Sequence, residues 1–310
     1  MTDESSVRRA WRVTEPLHAL IYFVPEAPER YAKLGVDPQA GYFASRGAVF
    51  GAAGAGQVIA SFFVFNPDLV RRYLPAVWAK ATPAGMLAAR MEAADAALTR
   101  GLGDVVRSPE MAEAARLARR AAESAGAWPQ GRPLYAATAE LPWPDEPHLQ
   151  LFHAQTLLRE FRGDGHTAAL LLAGLTGLEA MILQVAAGQA DARFLRVTRG
   201  WSRDQWAGAI DGLRGRGLLD GAGAEFTGPG PQRSPAGPAS AGAGRMPRLT
   251  DAGRELLGGI EAATDRLTEP AYRVLGEPGR VRLAELTRPM SRTVVKAGML
   301  NPAMIVNPRT

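Results

Sequence analysis

The sequence predicts a mainly α-helical protein made of two related helical lobes. Two observations support a helical fold: capping side chains stand directly before prolines at intervals, and strand signals are scarce. A third suggests the lobes, because a glycine- and alanine-rich apolar helix, a tryptophan (Trp78, then Trp201) and a capped helix occur twice in the same order. Such a repeat predicts a pseudo-dimer within one chain, although alanine-rich helices can also resemble one another by chance.

Helix starts in the first lobe, predicted for residues 1–126, are all marked in the same way. A capping side chain precedes a proline at Asp37-Pro38, Asn66-Pro67, Thr82-Pro83 and Ser108-Pro109. The side-chain oxygen accepts a hydrogen bond from a free amide of the first turn, and the proline has no amide to leave unpaired. These starts predict helices over residues 38–48, 48–65, 67–73, 83–100 and 109–125.

An irregular connector, residues 127–146, is expected to separate the lobes. Its proline motifs interrupt regular structure at Trp128-Pro129, Arg132-Pro133 and Pro142-Trp143-Pro144. The second lobe then covers residues 147–275, and residues 276–310 are expected to form a C-terminal helix and a tail.

A cluster of polar side chains stands where the first long helix of the second lobe is predicted to break. That helix, residues 147–162, is expected to end at Gly163, and Asp164 would then cap an apolar helix over residues 165–187. The free amides at such a helix start favour an anionic group, and Asp164 could also orient a nearby histidine for acid–base chemistry. The candidate ligand-binding residues are therefore Arg159, Arg162, Asp164 and His166. The alternative is a capping aspartate beside a surface arginine and a half-buried histidine.

Charge is unevenly distributed along the chain. The 310 residues carry 36 basic and 31 acidic side chains, a net charge of +5, and residues 190–250 hold nine arginines against five acids. This stretch alone contributes +4, which makes double-stranded DNA a candidate partner. Because the chain has no cysteine, disulfides, thiolate metal sites and a cysteine nucleophile are excluded.

Two long runs poor in charge have the length of membrane spans. Residues 47–67 carry no charge, and residues 167–187 carry only Glu179. Both are rich in glycine and alanine and have no aromatic belt, so buried helices are predicted and no membrane contact is expected. With no targeting segment visible, a cytoplasmic location is expected. No cofactor motif occurs, and His148 and His153 are five residues apart, so neither a cofactor nor a metal site is predicted.

The segment after residue 200 has a well-marked helix start. Ser202-Arg203-Asp204-Gln205 is a capping box, followed at helical spacing by Trp206, Ala209, Ile210 and Leu213. Arg216-Gly217-Leu218-Leu219 ends this helix, and Thr250 caps another in Arg248-Leu249-Thr250-Asp251-Ala252-Gly253-Arg254. Residues 201–266 therefore resemble MarR-type winged-helix regulators. In that family a recognition helix ends in Arg-Gly-Leu, a β-hairpin wing follows, and Leu-Thr-x-x-Gly-Arg begins the next helix.

This resemblance implies that the second lobe is a winged helix-turn-helix with a small β-hairpin wing, within a flexible basic loop over residues 221–248. A wider resemblance, carried by Leu158-Arg159-Glu160-Phe161-Arg162-Gly163-Asp164-Gly165-His166 and Asn301-Pro302, is to an actinobacterial family of helix-turn-helix proteins. The candidate DNA-binding residues are Arg203, Arg214, Arg233, Arg245 and Arg248.

The wing arginines suit phosphates or a minor groove, and the alternative is a disordered surface insertion. The recognition helix has few side chains suited to contact base edges, because its outward positions include Ala207, which cannot form hydrogen bonds, and Asp211, which would repel phosphates. A single reading helix binds weakly unless the chain forms a homodimer. Six aromatic residues could line a cavity between the lobes, although core packing explains each equally well: Trp11, Tyr22, Phe23, Tyr42, Phe43 and Trp78.

These features favour a ligand-responsive transcriptional regulator that binds a small organic anion between its lobes and DNA through its wing. A second hypothesis is a winged-helix scaffold that no longer binds DNA and binds or transforms a specialised metabolite through Asp164 and His166. A third is a protein-interaction module that uses the same exposed helices.

Overall fold

The computed structural model describes residues 5–220 and 247–300, and its regular structure is helical, as the sequence predicts. The helices before residue 147 are α1 Ser6–Thr14, α2 Pro16–Ala19, α3 Glu26–Lys33, α4 Pro38–Gly47, α5 Ala55–Ser61, α6 Pro67–Tyr73, α7 Pro83–Leu102, α8 Pro109–Ser124 and α9 Pro133–Ala139. Those after it are α10 Pro147–Leu172, α11 Gly177–Ala186, α12 Ala192–Thr198, α13 Arg203–Gly215, α14 Asp251–Arg273 and α15 Gly276–Lys296.

The capping signals place most helix starts correctly. Asp37, Asn66, Thr82 and Ser108 each accept a hydrogen bond from an amide in the first turn of the helix that follows, with proline at its first position. The helix predicted over residues 48–65 is wrong in part. Gly51 adopts a φ of +73° and ends a short 3-10 turn, so that α5 begins only at Ala55. A left-handed residue cannot continue an α-helix.

Helix α10 passes through the position where a break was expected. It continues past Gly163 to Leu172, so Asp164 does not cap a helix at residue 165 and no free amides are present there. The actual break follows Leu172, where Gly174 has a φ of +65° and Thr176 caps α11. The predicted helix over residues 165–187 is therefore the end of one helix and the whole of the next.

Contacts with neighbouring elements explain why α10 continues. A Cβ atom at Gly165 would lie 2.9 Å from Arg132 Nη1 and 3.2 Å from Leu267 Cβ, so this glycine allows α14 and Arg132 to approach closely. The connector predicted as irregular contains α9, whose first turn donates the Tyr135 amide to the Asp164 carboxylate at 3.0 Å. Packing on these elements outweighs the low helix propensity of glycine.

Buried apolar side chains form two clusters, and they do not divide the chain into two related halves. The first combines α1 to α9 and most of α10 with the end of α14 and with α15. The second contains only residues between Ala169 and Ile260. The expected arrangement of two related lobes is not supported, because α15 returns to pack against α1 and α8 and joins both ends of the chain in one core.

A β-hairpin wing is not supported by the residues that the structure describes. No strand occurs in 5–220 or 247–300, and the one pairing there is an isolated antiparallel bridge between Leu219 and Leu249. Next to it, the Asp220 amide donates to the Arg248 carbonyl at 2.9 Å, and the Arg248 amide donates to Asp220 Oδ1 at 2.8 Å. A single bridge thus stands where a ladder was expected, and residues 221–246 lie outside the described part of the chain.

Residues 62–66, which we call the junction segment, contact both apolar clusters. Phe62 and Phe65 are buried in the first cluster, whereas Phe63 and Val64 pack against the second. The first residue of α11, Gly177, lies directly on the backbone of this segment. A Cβ atom at Gly177 would collide with the Phe63 carbonyl oxygen and come within 2.8 Å of Val64 Cα. Only glycine permits this approach between two backbones.

We therefore expect Gly177→Ala to lower the free energy of unfolding by roughly 2 to 4 kcal/mol, because backbone atoms cannot rotate away as a side chain can. Urea unfolding followed by circular dichroism measures the change. The control is Gly208→Ala in α13, where a Cβ atom meets nothing within 4 Å. That substitution should stabilise the protein by roughly 0.5 to 1 kcal/mol. Equal stability of the two variants would contradict the junction contact.

Candidate functional site

Helices α11, α12 and α13 pack together in the second apolar cluster. Helices α12 and α13 are joined by the four residues 199–202, within which Gly200 has a φ of +76°. The predicted capping box is confirmed: Ser202 accepts the Gln205 amide, and the Gln205 side chain accepts the Ser202 amide. Buried side chains of α13 face the core of this cluster at Trp206, Ile210 and Leu213. Two helices joined by a four-residue turn that contains glycine have the connectivity of a helix-turn-helix.

The junction segment fixes the orientation of this turn. Trp201 Nε1 donates to the Val64 carbonyl at 2.9 Å, and the Asn66 amide donates to the Arg199 carbonyl at 2.9 Å. The Asn66 side chain caps α6 through its oxygen and donates through Nδ2 to Gln205 Oε1 at 3.2 Å. One asparagine thus connects the start of α6 in the first cluster to the first turn of α13.

The exposed face of α13 carries short side chains, which the sequence also predicted. Its exposed residues include Ala207, Gly208, Asp211, Gly212 and Gly215. Arg214 Nη1 donates to Asp211 Oδ1 at 3.1 Å, and this pair of a half-buried arginine and an exposed aspartate would have to open before Arg214 could contact DNA. Surface pairs of this kind contribute little free energy, so a phosphate could compete for Arg214. Few side chains on this face are long enough to reach base edges.

Two other candidate DNA-binding arginines lie at the borders of this unit. Arg203 is exposed at the first position of α13, and Arg248 is exposed beside the Leu219–Leu249 bridge. Arg233 and Arg245 fall outside the described residues. The structure therefore positions three of the five candidates, all in or next to the second apolar cluster.

The four candidate ligand-binding residues line one cavity, of about 450 Å³, between the two clusters. We call it the inter-cluster cavity. It is bounded by α10, the junction segment and Trp11 on one side, and by Gln184 and Glu261 from the second cluster and α14 on the other. The lining positions Arg159, Arg162, Asp164 and His166 come from successive turns of the unbroken helix α10.

Both candidate arginines are already paired with carboxylates. Arg159 forms an ion pair with Glu15 and lies 5.5 Å from the centre of the Tyr22 ring. Arg162 lies 3.1 Å from Glu261 Oε2 and 4.5 Å from the centre of the Trp11 ring. An anion that enters the cavity must therefore compete with a protein carboxylate, which sequence reasoning could not foresee because Glu15 and Glu261 are distant in the chain.

Asp164 holds helix α9 and does not contact His166 through a hydrogen bond. Its carboxylate accepts the Tyr135 amide, a free donor in the first turn of α9, at 3.0 Å. Asp164 is therefore a capping residue, as one alternative proposed, but it caps a different helix. Burial raises its pKa to about 7, with Glu160 acting in the same direction and the Tyr135 amide and Arg132 opposing.

His166 is held by α14. Its Nδ1 lies 2.9 Å from Thr264 Oγ1, and that hydroxyl donates to the Ile260 carbonyl at 2.8 Å. Thr264 must therefore accept a hydrogen bond from Nδ1–H, which leaves Nε2 of the neutral ring as an acceptor. Burial lowers the pKa of His166, with Arg162 acting in the same direction and Glu261 opposing. Asp164 and His166 thus have separate partners and do not form an acid–base pair.

Sequence reasoning missed a buried ion pair that also lines the inter-cluster cavity. Arg46 Nη2 lies 3.0 and 3.2 Å from the two carboxylate oxygens of Glu160, and its Nη1 donates to the Tyr42 hydroxyl at 2.9 Å. The Arg46 guanidinium also lies 4.3 Å from the centre of the Phe62 ring. The sequence offered one signal for this ion pair: Arg46 is a charged residue in the last turn of the otherwise uncharged helix α4.

The aromatic residues predicted to line a cavity divide among three places. A pocket of about 350 Å³ between the first cluster and α12 is lined by Tyr22, Phe23, Tyr42 and Phe43, together with Val197 and Arg199. Trp11 lines the inter-cluster cavity instead. Trp78 lines neither and donates to the Ala53 carbonyl at 2.9 Å.

In the described parts of the chain, no single helix is both long and apolar enough to cross a membrane. Helices α10 and α11 meet that criterion only as a pair, and they meet at an angle of 95°. The same residues contain no group of three or more histidines and carboxylates placed to hold a metal ion.

Helices α12 and α13 and the turn between them define a helix-turn-helix protein. Comparison with protein families agrees with this geometry, because a model described as "Helix-turn-helix family" matches residues 7–301. The chain belongs to this helix-turn-helix family. No curated protein and no solved structure matches it. The match extends well beyond α12 and α13 and covers residues of both apolar clusters.

The raised pKa of Asp164 predicts a pH dependence of stability. Because the folded protein retains this proton up to about pH 7 and the unfolded chain releases it near pH 4, stability should fall as pH rises between these values. Asp164→Asn keeps an oxygen for the Tyr135 amide but cannot titrate. Between about pH 5 and 8 the wild type should lose roughly 1 to 3 kcal/mol more than this variant in urea unfolding. Parallel pH profiles would show that Asp164 ionises normally.

Proposed function

We propose that this protein is a MarR-like transcriptional regulator that binds double-stranded DNA as a homodimer and responds to a small organic anion. The observation that carries the proposal is the α12–turn–α13 unit, with Arg203 exposed at the start of α13 and Arg248 exposed next to the Leu219–Leu249 bridge. We place the protein in the cytoplasm, where its DNA would be.

Most of the DNA contact in this proposal is made to phosphates. Arg203 and Arg248, with Arg233 and Arg245 from the basic segment, supply positive charge, and residues 190–250 carry a net charge of +4. Phosphate contacts give affinity and orientation without sequence information. The outer face of α13 carries few side chains that are long enough to hydrogen-bond to base edges. Dimerisation on two half-sites would therefore supply much of the sequence specificity.

The inter-cluster cavity offers a route from ligand to DNA. Its walls belong to both apolar clusters, and the junction segment that forms one wall also holds the turn before α13 through Val64 and Asn66. An organic anion that draws Arg162 from Glu261 would loosen the contact between these walls. Such a ligand would shift α13 relative to the first cluster by favouring one of two arrangements.

A second candidate function is a ligand-binding protein that does not bind DNA. The observation that favours it is the small and partly acidic outer face of α13, with Asp204 and Asp211 exposed. In this case the inter-cluster cavity would bind a specialised metabolite. Asp164 would support α9 rather than act on the ligand, since its carboxylate accepts the Tyr135 amide.

DNA binding distinguishes the two candidates. We expect the protein to bind a labelled duplex from upstream of its own gene, with affinity falling roughly a hundredfold between about 50 and about 200 mM salt. Arg203→Ala and Arg248→Ala should each weaken binding to every sequence and reduce the salt slope by about one, as loss of a phosphate contact does. Fluorescence anisotropy of the duplex measures both quantities.

The control is Arg107→Ala, which removes an equally exposed arginine paired with Asp104 in the first half of the chain. It should leave affinity and salt slope unchanged. If the wild type fails to bind DNA at about 50 mM salt, the regulator is ruled out and the second candidate remains. Binding that all three variants reduce equally would show that general charge, not this face, is responsible.

A further inference from the structure

A second cavity lies within the first apolar cluster, away from the helix-turn-helix. It has a volume of about 400 Å³ and is enclosed by α4, α7, α9, α10 and the residues between α9 and α10. We call it the apolar chamber. Its walls are mostly aliphatic and aromatic, with Val49, Leu87, Met91, Trp143 and Phe152 among the lining residues. A cavity of this size and character can hold a small organic molecule.

Arg90 of α7 brings a buried positive charge into this chamber. It is 8% exposed, and none of the described residues places a carboxylate within salt-bridge distance of it. Its Nη2 donates to the Tyr22 hydroxyl at 3.3 Å, and the guanidinium lies 5.2 and 5.9 Å from the centres of the Tyr22 and Phe152 rings. These contacts orient the guanidinium without neutralising it.

Tyr22 cannot act as the missing anion. The Thr156 hydroxyl donates to the Phe152 carbonyl, so it must accept a hydrogen bond from His18 Nδ1–H, and His18 Nε2 must accept from the Tyr22 hydroxyl. The tyrosine is therefore protonated, and burial raises its pKa further from neutrality. Burial, with Arg90 and Arg46 nearby, also keeps the pKa of His18 well below its ordinary range, consistent with a neutral ring.

A second polar group in the chamber has a ring nitrogen without a hydrogen-bond partner. His153 lines the chamber and is only 2% exposed, and its Nε2 atom has no hydrogen-bond partner in the described structure. Burial, with Arg119 acting in the same direction, lowers its pKa to about 4, so the ring is neutral at physiological pH. Its ring packs edge-on against Trp143 at 4.7 Å between centres. Buried polar atoms are nearly always paired, so this atom requires an explanation.

From these observations we propose that the apolar chamber binds an aromatic monocarboxylic acid, with its carboxylate on Arg90 and a polar group near His153. Of the charged residues that line it, Arg46 and Glu160 neutralise each other, which leaves Arg90 as a net charge of one. One unpaired cation in an apolar wall suits a monoanionic carboxylate better than a dianionic phosphate, whose second charge would remain uncompensated. Trp143 and Phe152 favour a flat ring.

The chamber is a separate site from the inter-cluster cavity, and its existence does not depend on DNA binding. The two cavities share the Arg46–Glu160 ion pair and Leu134 as a common wall. A carboxylate bound beside Arg90 would also lie close to Arg46. Its negative charge would therefore change the electrostatic potential at the Arg46–Glu160 pair, which forms the wall between the chamber and the inter-cluster cavity.

The test compares a carboxylic acid with its own amide. Isothermal titration calorimetry with 1-naphthylacetate and 1-naphthylacetamide should show the full-length protein binding the acid at least tenfold more tightly. Arg90→Met, which keeps most of the side-chain volume, should lower affinity for the acid at least tenfold and leave affinity for the amide unchanged. Arg107→Met on the surface is the matched control and should change neither.

A second variant keeps the proposal testable if Arg90→Met unfolds. Ala88 is exposed on α7 and lines the chamber, so Ala88→Trp should block entry of both compounds while the melting temperature stays close to that of the wild type. Equal affinity for acid and amide in the wild type, or unchanged binding in Ala88→Trp, overturns the proposal. So does a failure of the wild type to bind 1-naphthylacetate.

Discussion

Helix α10 is held in one rotation and register, because four of its buried polar side chains have partners from other helices. The partners are Asp95 for His148, Arg46 for Glu160, Glu261 for Arg162 and the Tyr135 amide for Asp164. A slip or rotation of α10 would leave several of these groups buried and unpaired, at a cost of roughly 1 to 3 kcal/mol for each neutral group and more for each charged one. The positions of α4, α7, α9 and α14 all follow from this requirement.

Local signals in the sequence predicted the parts of the fold that depend on local chemistry. The caps at Asp37, Ser108 and Thr250 and the capping box at Ser202 and Gln205 are satisfied by amides two or three residues away, so a short stretch of sequence contains all that is needed. The buried face of α13 was predictable for the same reason, because the helical spacing of its apolar residues defines it without any distant partner. The helix-turn-helix was predictable for this reason.

Features that depend on distant partners were not predictable. Gly163 and Gly165 indicate a break by their propensity, and only the approach of Arg132 and Leu267 shows why Gly165 lies within a continuous helix. Likewise, neither α1 nor α15 contains a local sequence signal that predicts the packing of these two helices against each other. The ligand-binding candidates on α10 do share a cavity, but the carboxylates that neutralise its arginines come from α14 and from the turn between α1 and α2.

The apolar chamber shows the same limit. Arg90 lies in α7 at helical spacing from Met86, Ala93 and Ala97, on the buried stripe of a helix. A charge at such a position is a usable signal in the sequence, since arginine is almost never buried without a partner. What the sequence does not contain is the distance to His153, which lies in a different helix. Only the folded chain brings these two groups to one cavity.

The contacts of the junction segment also limit how this protein can evolve by recombination. The backbone of the junction segment supports the start of α11 at Gly177, and its Val64 and Asn66 contact the turn before α13 and the first turn of α13, although they are encoded more than a hundred residues before these elements. A gene fragment that encoded residues 168–266 alone would lack these partners and expose the Trp201 indole and the face of Gly177. Exchange of the helix-turn-helix between relatives would therefore have to transfer both halves of the gene, and single-helix substitutions in α13 are the simpler evolutionary route.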